Sequence, residues 1–368
     1  MKKKGFQKKY LFVLLLPAAF FLAQISAAHP EFVEKLYSNT IYKPIGIILS
    51  NITGIFPFSV AELTVLLLTA LLLYGIGKVI MSFIRRKPNA LRFFLNYLGN
   101  ILIFTSIIYF LFMVLWGLNY YRQPFSKITG LDVSPADLEE LEEVCVMLIN
   151  NANDLRQRMG ETETGTMKLN STLQDAYLRA GAGYENASSL YAVLDGKFGR
   201  PKGVFASVIM SYAGISGVYF PLTSEANVNK DMPPSMLPCT ISHEMAHQRG
   251  FAREDEANYI AYLTCRLHPD DDFKYSGVLL ALINSMNALY SYDREKYLYL
   301  RQSYSEGVNK DLGELNAFWQ KYEGPFEKIS NSINDTYLKA NRQQDGVHSY
   351  GRMVDLIIAE HRAEKQIP

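Results

Sequence analysis

Two histidines one helical turn apart, with a glutamate beside the first, carry the strongest chemical signal in this chain: His243-Glu244-Met245-Ala246-His247. At positions i and i+4 both imidazoles project from one helical face, so both can reach a single tetrahedral ion at about 2.0–2.1 Å. Glu244 falls on a neighbouring face, placed to contact metal-activated water without ligating. Zinc lowers the pKa of such water to about 7, and a carboxylate then takes its proton as it attacks a carbonyl. The residues from Leu237 to Ala246 are mostly apolar and the pattern stops at Gly250, a residue suited to end a helix. Two of the chain's 6 histidines sit in this stretch. The spacing predicts a helix that holds Zn2+ through His243 and His247, with Glu244 as general base.

A catalytic zinc takes three protein ligands and leaves the fourth position to water. Phe251-Ala252-Arg253-Glu254-Asp255-Glu256-Ala257-Asn258 follows at once and opens a second apolar helix through Tyr259, Ile260, Tyr262 and Leu263. Glu254 is the expected third ligand, and Glu256, on another face, is the alternative. Asn258, one turn after Glu254, is expected to accept a hydrogen bond from a liganding imidazole and so fix its tautomer. Asp255 and Glu256 also suit a helix N-terminus, where the dipole favours carboxylates.

Weaker signals lie elsewhere. Gly346-Val347-His348-Ser349-Tyr350-Gly351-Arg352 places His348, Tyr350 and Arg352 in a glycine-bounded loop. His348 and Tyr350 are candidate catalytic groups that donate to the oxyanion of a tetrahedral intermediate. Gly217 to Leu222 reads as an edge strand able to pair with an extended peptide, or as an ordinary core strand. Glu225 and Asn227 are candidates to line the cleft. Cys239, one turn before His243, reads as a packed thiol.

The elements that must position these groups divide the 368 residues in two. Residues 1–121 form a membrane region with apolar spans at about 10–28, 62–84 and 93–118. Lys2, Lys3, Lys4, Lys8 and Lys9 precede the first span, which is barely long enough to cross; the small residues after Gln24 leave a cleaved signal peptide as its alternative reading. The second ends at Arg85-Arg86-Lys87 with Arg92 behind, a cytoplasmic loop by the positive-inside rule. The third closes with Trp116, Tyr120 and Tyr121, ring types suited to the interface, and the loop between the first two spans carries only Lys35 and Lys43 as strong bases. These signs predict a multi-pass protein of a bacterial cytoplasmic membrane whose residues 122–368 form a domain on the outer face.

Within that domain Ser134-Pro135-Ala136-Asp137 announces a helix running to about Met159-Gly160, with Ser134 as its cap. A second helical stretch spans 171–194, and 272–360 is mostly helical. Between 202 and 229, Val204 to Met210 and Gly217 to Phe220 read as strands, two or three in all. Net charge is +1, which gives no field favouring nucleic acid. Cys145, Cys239 and Cys265 are too few for a disulfide framework, and no C-x-x-C occurs, so any metal rests on His and carboxylate. The partners implied are the lipid bilayer and a peptide or protein substrate; oligomeric state is not encoded in any readable pattern.

Glu254-x-x-Ala257-Asn258 after HExxH resembles the E-x-x-A-D element of gluzincin-type membrane zinc metallopeptidases, with Asn in place of Asp. H-E-x-x-H-x-x-G also resembles the start of the metzincin motif, but Arg253 stands where its third histidine would be. Nearly the whole chain resembles a bacterial family of membrane-anchored HExxH proteins with a domain of unknown function, through Gly117 to Arg122, Tyr219-Phe220-Pro221, Glu225-Ala226-Asn227, His243 to Asn258 and Asn334 to Asn341. The resemblance implies a zinc peptidase-like fold and no particular substrate. The expected architecture is three transmembrane helices plus a mainly α (α+β) zincin-like domain with a small sheet. The expected activity is membrane-anchored, zinc-dependent hydrolysis of peptide bonds. A zinc amidase acting on cell-wall peptides, and a non-catalytic zinc-containing sensor or scaffold with a closed four-ligand site, are the alternatives.

Overall fold

The computed structural model describes residues 8–365, except for the side chain of Tyr350. Lys2, Lys3 and Lys4 of the N-terminal basic cluster lie outside the described residues. Three helices are long and apolar enough to cross a membrane: α1 (Lys8–Ala28), α2 (Val60–Ile84) and α3 (Ala90–Leu115). Their apolar side chains point outward rather than into a protein core: Leu66, Leu73 and Leu91 are all more than half exposed. That arrangement is stable only against lipid.

The segment between α1 and α2 departs from the expected loop. It is helical, with a π-helical stretch at Val33–Tyr42 and a helix at Lys43–Gly54. It packs against the globular part: Ser50 Oγ accepts from the Gly199 amide at 2.9 Å, and Thr53 Oγ1 donates to the Thr223 carbonyl at 3.1 Å. The segment Val33–Gly54 thus lies against the globular part.

The domain core is built from α4 (Leu138–Arg156), α6 (Leu237–Gln248), α7 (Glu254–Arg266), α8 (Asp271–Tyr292) and α11 (Met353–Lys365). On α4, Leu141, Val144, Cys145, Leu148, Ile149 and Ala152 recur at three- and four-residue spacing and are buried. Each large one contributes about 1.5–3 kcal/mol. The helix starts three residues later than expected. Asp137, not Ser134, caps it, because Asp137 accepts from the Glu140 amide while Glu140 accepts from the Asp137 amide. A reciprocal pair of that kind satisfies two amide donors and outcompetes a lone serine.

Two small sheets complete the fold. β1 (Gly160–Glu161) and β2 (Met167–Lys168) form an antiparallel pair that the sequence pattern does not announce. β3 (Lys202–Gly203), β4 (Gly217–Phe220) and β5 (Glu225–Val228) form a sheet of order β3-β5-β4, so β4 is an edge. The apolar run from Val204 to Met210 is not a strand. Ser207–Tyr212 forms a short helix, α5, because the Glu62 carboxylate at the start of α2 accepts from the Phe205 and Ala206 amides at 3.0 and 2.7 Å. That cap comes from 143 residues away and overrides local β propensity. The C-terminal part adds α9 (Glu306–Tyr322) and α10 (Pro325–Ala340).

Candidate metal centre

α6 is almost wholly buried, so every backbone group at its ends needs a partner. Its proline, Pro238, stands in the first turn, where no intrahelical donor is lost. The Cys239 amide donates to Ser276 Oγ at 3.0 Å. At the other end Gly250 adopts φ +82°, and the Phe251 and Gly250 amides donate to the carbonyls of Ala246 and His247. A side chain at 250 would also strike the ring of Tyr42, 2.8 Å from where its Cβ would stand. This glycine turn swings the chain back so that α7 begins beside the histidines.

Three ligand atoms converge there. Glu254 Oε2 lies 3.2 Å from His243 Nε2 and 3.4 Å from His247 Nε2. The two imidazoles stand edge to face, their centroids 4.7 Å apart. Among the described residues these three form the single group of histidine, cysteine and acidic side chains close enough to hold one ion. Glu256 turns away, accepting from the Phe125 amide at 2.8 Å and from Arg253 at 3.0 Å. Cys239 is buried and donates to the Met236 carbonyl, so it does not join the ligand atoms.

The tautomer of His247 is set by backbone. Its Nδ1 lies 2.7 Å from the Phe251 carbonyl, which can only accept, so Nδ1 carries a proton and Nε2 is the nitrogen turned to the centre. The orienting role expected of Asn258 is thus filled at His247 by the glycine turn itself. Asn258 is buried one turn after Glu254 on α7.

The electrostatics follow from burial and proximity. Burial lifts Glu244 to about 7, opposed by the imidazoles of His243 and His247 and by the Tyr219 amide. Burial pushes Glu254 up, yet the two imidazoles outweigh it and hold this carboxylate well below the usual range. For His247 burial favours the neutral ring, but the Glu254 charge prevails and raises it to about 9. Glu244 Oε2 and Glu254 Oε2 are both buried without a hydrogen bond of ordinary geometry. An unsatisfied buried carboxylate oxygen costs several kcal/mol unless a cation or donor meets it. The donor set, two imidazole nitrogens and one carboxylate with Glu244 alongside, could hold a divalent ion that accepts nitrogen and oxygen.

β4 borders the site. A Cβ on Gly217 would come within 2.4 Å of Glu244 Oε1, so only glycine lets this carboxylate lie against the strand. Glu225 and Asn227 on β5 do not line a cleft. Glu225 is buried, pairs with Lys202 at 2.5 Å and caps α2 through the amides of Val60 and Ala61; Asn227 accepts from Ser59. Both bolt the membrane helix to the sheet. His348 is exposed, and Arg352 pairs with Asp345. The side chain of Tyr350 lies outside the described residues.

The structure adds residues that motif reading misses. Tyr42 donates to the Gln248 carbonyl at 3.0 Å and Trp116 Nε1 to the His247 carbonyl at 3.2 Å, so groups outside the motif cap the C-terminal end of α6. Arg122 forms a two-pronged pair with Glu34, at 2.7 and 2.8 Å, donates to the Gly250 carbonyl and stacks on Phe251. Gln343 accepts from the Glu254 amide at 3.0 Å and so fixes the start of α7. Tyr337 hydrogen-bonds Tyr120 at 3.0 Å; burial raises its phenol to about 12, with the nearby Glu254 charge adding to the rise. The stretches Gly117 to Arg122 and Asn334 to Asn341 contain three of these residues, but nothing in their composition tells which element they meet.

The family profile described as "Protein of unknown function (DUF3810)" matches residues 37–358. The chain belongs to that family. The DUF3810 match begins inside the π-helical stretch at Val33–Tyr42, before α2, and so takes in the segment that packs on the domain as well as the metal-site helices. No curated protein and no solved structure matches the chain.

Proposed function

We propose that this protein is a membrane-anchored, zinc-dependent hydrolase of peptide bonds with a zincin-like domain. The observation that carries the reading is the convergence of His243, His247 and Glu254 on one point, with Glu244 buried beside them and its Oε2 without a hydrogen bond. His243, His247 and Glu254 would hold the ion. A bound zinc would supply a Lewis acid that polarises the scissile carbonyl and acidifies water to a pKa of about 7.

Glu244 then works as general base. Its carboxylate, lifted toward neutrality by burial, takes a proton from the attacking water and returns it to the leaving amine. The free edge of β4, with Val218 exposed, offers an extended substrate backbone a strand to pair with. The basic loop at Arg85-Arg86-Lys87 supports a cytoplasmic location for that turn and an outer-face location for the catalytic domain.

The test is metal content and proteolysis in the purified full-length chain. We expect one zinc per chain, its loss in His243→Ala and Glu254→Ala, and cleavage of an unfolded fluorogenic protein that stops on chelation and returns with zinc. A wild-type chain that takes up no zinc would overturn the site. Zinc without cleavage of either that protein or purified cell-wall peptides would overturn the hydrolase.

A further inference from the structure

Two amphipathic elements outside the metal centre leave their apolar faces uncovered. On α10, Phe326, Ile329 and Ile333 recur at helical spacing and are 54%, 58% and 65% exposed. Beside it, Phe205, Val208 and Ile209 at α5 are 74%, 50% and 63% exposed. The two elements adjoin: the ring of Tyr212 on α5 stands edge-on to Tyr322, which ends α9 just before α10, at 4.9 Å, and Gly214 lies against Glu327 and Asn331 on α10. Large side chains exposed together in this way mark a surface made to be covered.

What covers it follows from how it is fixed to the membrane helices. Phe205 and Ala206 hang by their amides from Glu62, in the first turn of α2. At the far end of α10, Tyr337 hydrogen-bonds Tyr120, in the turn directly after α3. Both attachments therefore lie at the ends of spanning helices that meet the domain, the level at which hydrocarbon gives way to headgroups. Cations stand among the aromatic rings there: Lys230 lies 5.3 Å from the Phe205 ring and Arg342 lies 5.0 Å from the Tyr121 ring. Apolar side chains bordered by bases suit an anionic lipid surface.

We propose that α5 and α10 together form an interfacial footing that rests on the membrane surface on the domain's own side, their apolar residues dipping among the lipids. The footing is continuous with α2 and α3, and it adds an in-plane attachment to the spanning helices. It orients the domain, because one edge is held by the helices and the other by the lipid surface. α10 reaches from the footing to Tyr337, so the face of the metal centre near that phenol lies close to the membrane.

The three native cysteines are buried, so an introduced cysteine can be labelled selectively. The full-length chain, carrying Ile209→Cys, Ile329→Cys or Ile333→Cys with an environment-sensitive fluorophore, is placed in vesicles of phosphatidylethanolamine and phosphatidylglycerol. Tyr299→Cys, at a residue 71% exposed on another helix, is the control. Labels at 209, 329 and 333 are expected to lose roughly half or more of their emission to lipids spin-labelled near the headgroup, since an interfacial helix sinks about 5–10 Å. The control label should lose little. Equal loss at all four positions overturns the proposal. So does shielding of 329 and 333 from aqueous iodide without quenching by the lipid, which would mean that a second copy or another protein covers the face.

Discussion

Two buried charged clusters in this domain look alike in composition and differ in completeness. In the first, Asp311 is fully buried between α4 and α8, and both of its oxygens are satisfied. Oδ2 accepts from Arg156 and from Tyr275, each at 2.6 Å, and Oδ1 accepts from the Met167 amide at 2.7 Å. Arg156 spends its other nitrogens on Glu161 and the Gly165 carbonyl. In the second, His243, His247, Glu244 and Glu254 converge, yet Glu244 Oε2 has no hydrogen bond and Glu254 Oε2 meets only the two imidazoles, at 3.2 and 3.4 Å. A saturated network holds elements together; one with convergent, unspent lone pairs is arranged for something that arrives from outside.

That contrast breaks most sharply at Glu244. Glu244→Gln in the full-length chain should cut proteolytic turnover by about 10²–10⁴-fold while zinc content stays at the wild-type level. Initial rates on an unfolded substrate, with metal analysis of the same sample, decide it; wild-type rates would remove Glu244 from the chemistry.

Asp311→Ala should do the reverse. It leaves Arg156 buried without its carboxylate, a loss of about 3–5 kcal/mol, read as a drop in unfolding midpoint, with zinc content unchanged in the protein that remains folded. If instead stability holds and zinc is lost, the two clusters have been assigned the wrong way round.

Gly217→Ala sharpens the comparison inside the site. The added Cβ meets Glu244 Oε1 at 2.4 Å and must push the carboxylate aside. A displacement of about 1 Å costs up to roughly 10²-fold in rate, with metal retained. An unchanged rate would show that Glu244 need not lie against β4.

The smallest effect expected is from Tyr42→Phe. It removes one buried donor to the Gln248 carbonyl and should cost about 1 kcal/mol in thermal unfolding, with zinc content unaffected. A loss of zinc in this variant would mean that the membrane-side cap controls the ligands directly.

The meeting of His243, His247 and Glu254 in the second cluster was legible because it is local. His243, His247, Gly250 and Glu254 lie within a dozen residues, and two helices joined by a glycine turn bring the side chains together. The three spans were legible from length and flanking charge. The segment between α1 and α2 was read as a loop, since its reasons for folding, Ser50 with Gly199 and Glu34 with Arg122, are contacts across 149 and 88 residues. The α5 error has the same origin: Phe205 to Met210 is apolar and β-prone, and only the distant Glu62 makes it helical. At His247 the partner of Nδ1 is the carbonyl of Phe251, which no side-chain pattern reveals.

Arg122 also bears on how the protein can be handled at the bench. The obvious place to trim the membrane anchor is just after the third span, which would give a water-soluble fragment starting at Arg122. Such a fragment would keep a guanidinium that is 2% exposed in the full chain and discard Glu34, the carboxylate that neutralises it. It would also lose Tyr42 and Trp116 from the end of the metal helix. Aggregation or inactivity of that fragment would then report the amputation rather than a property of the intact protein, and detergent-solubilised full-length protein is the material on which any negative result should be judged.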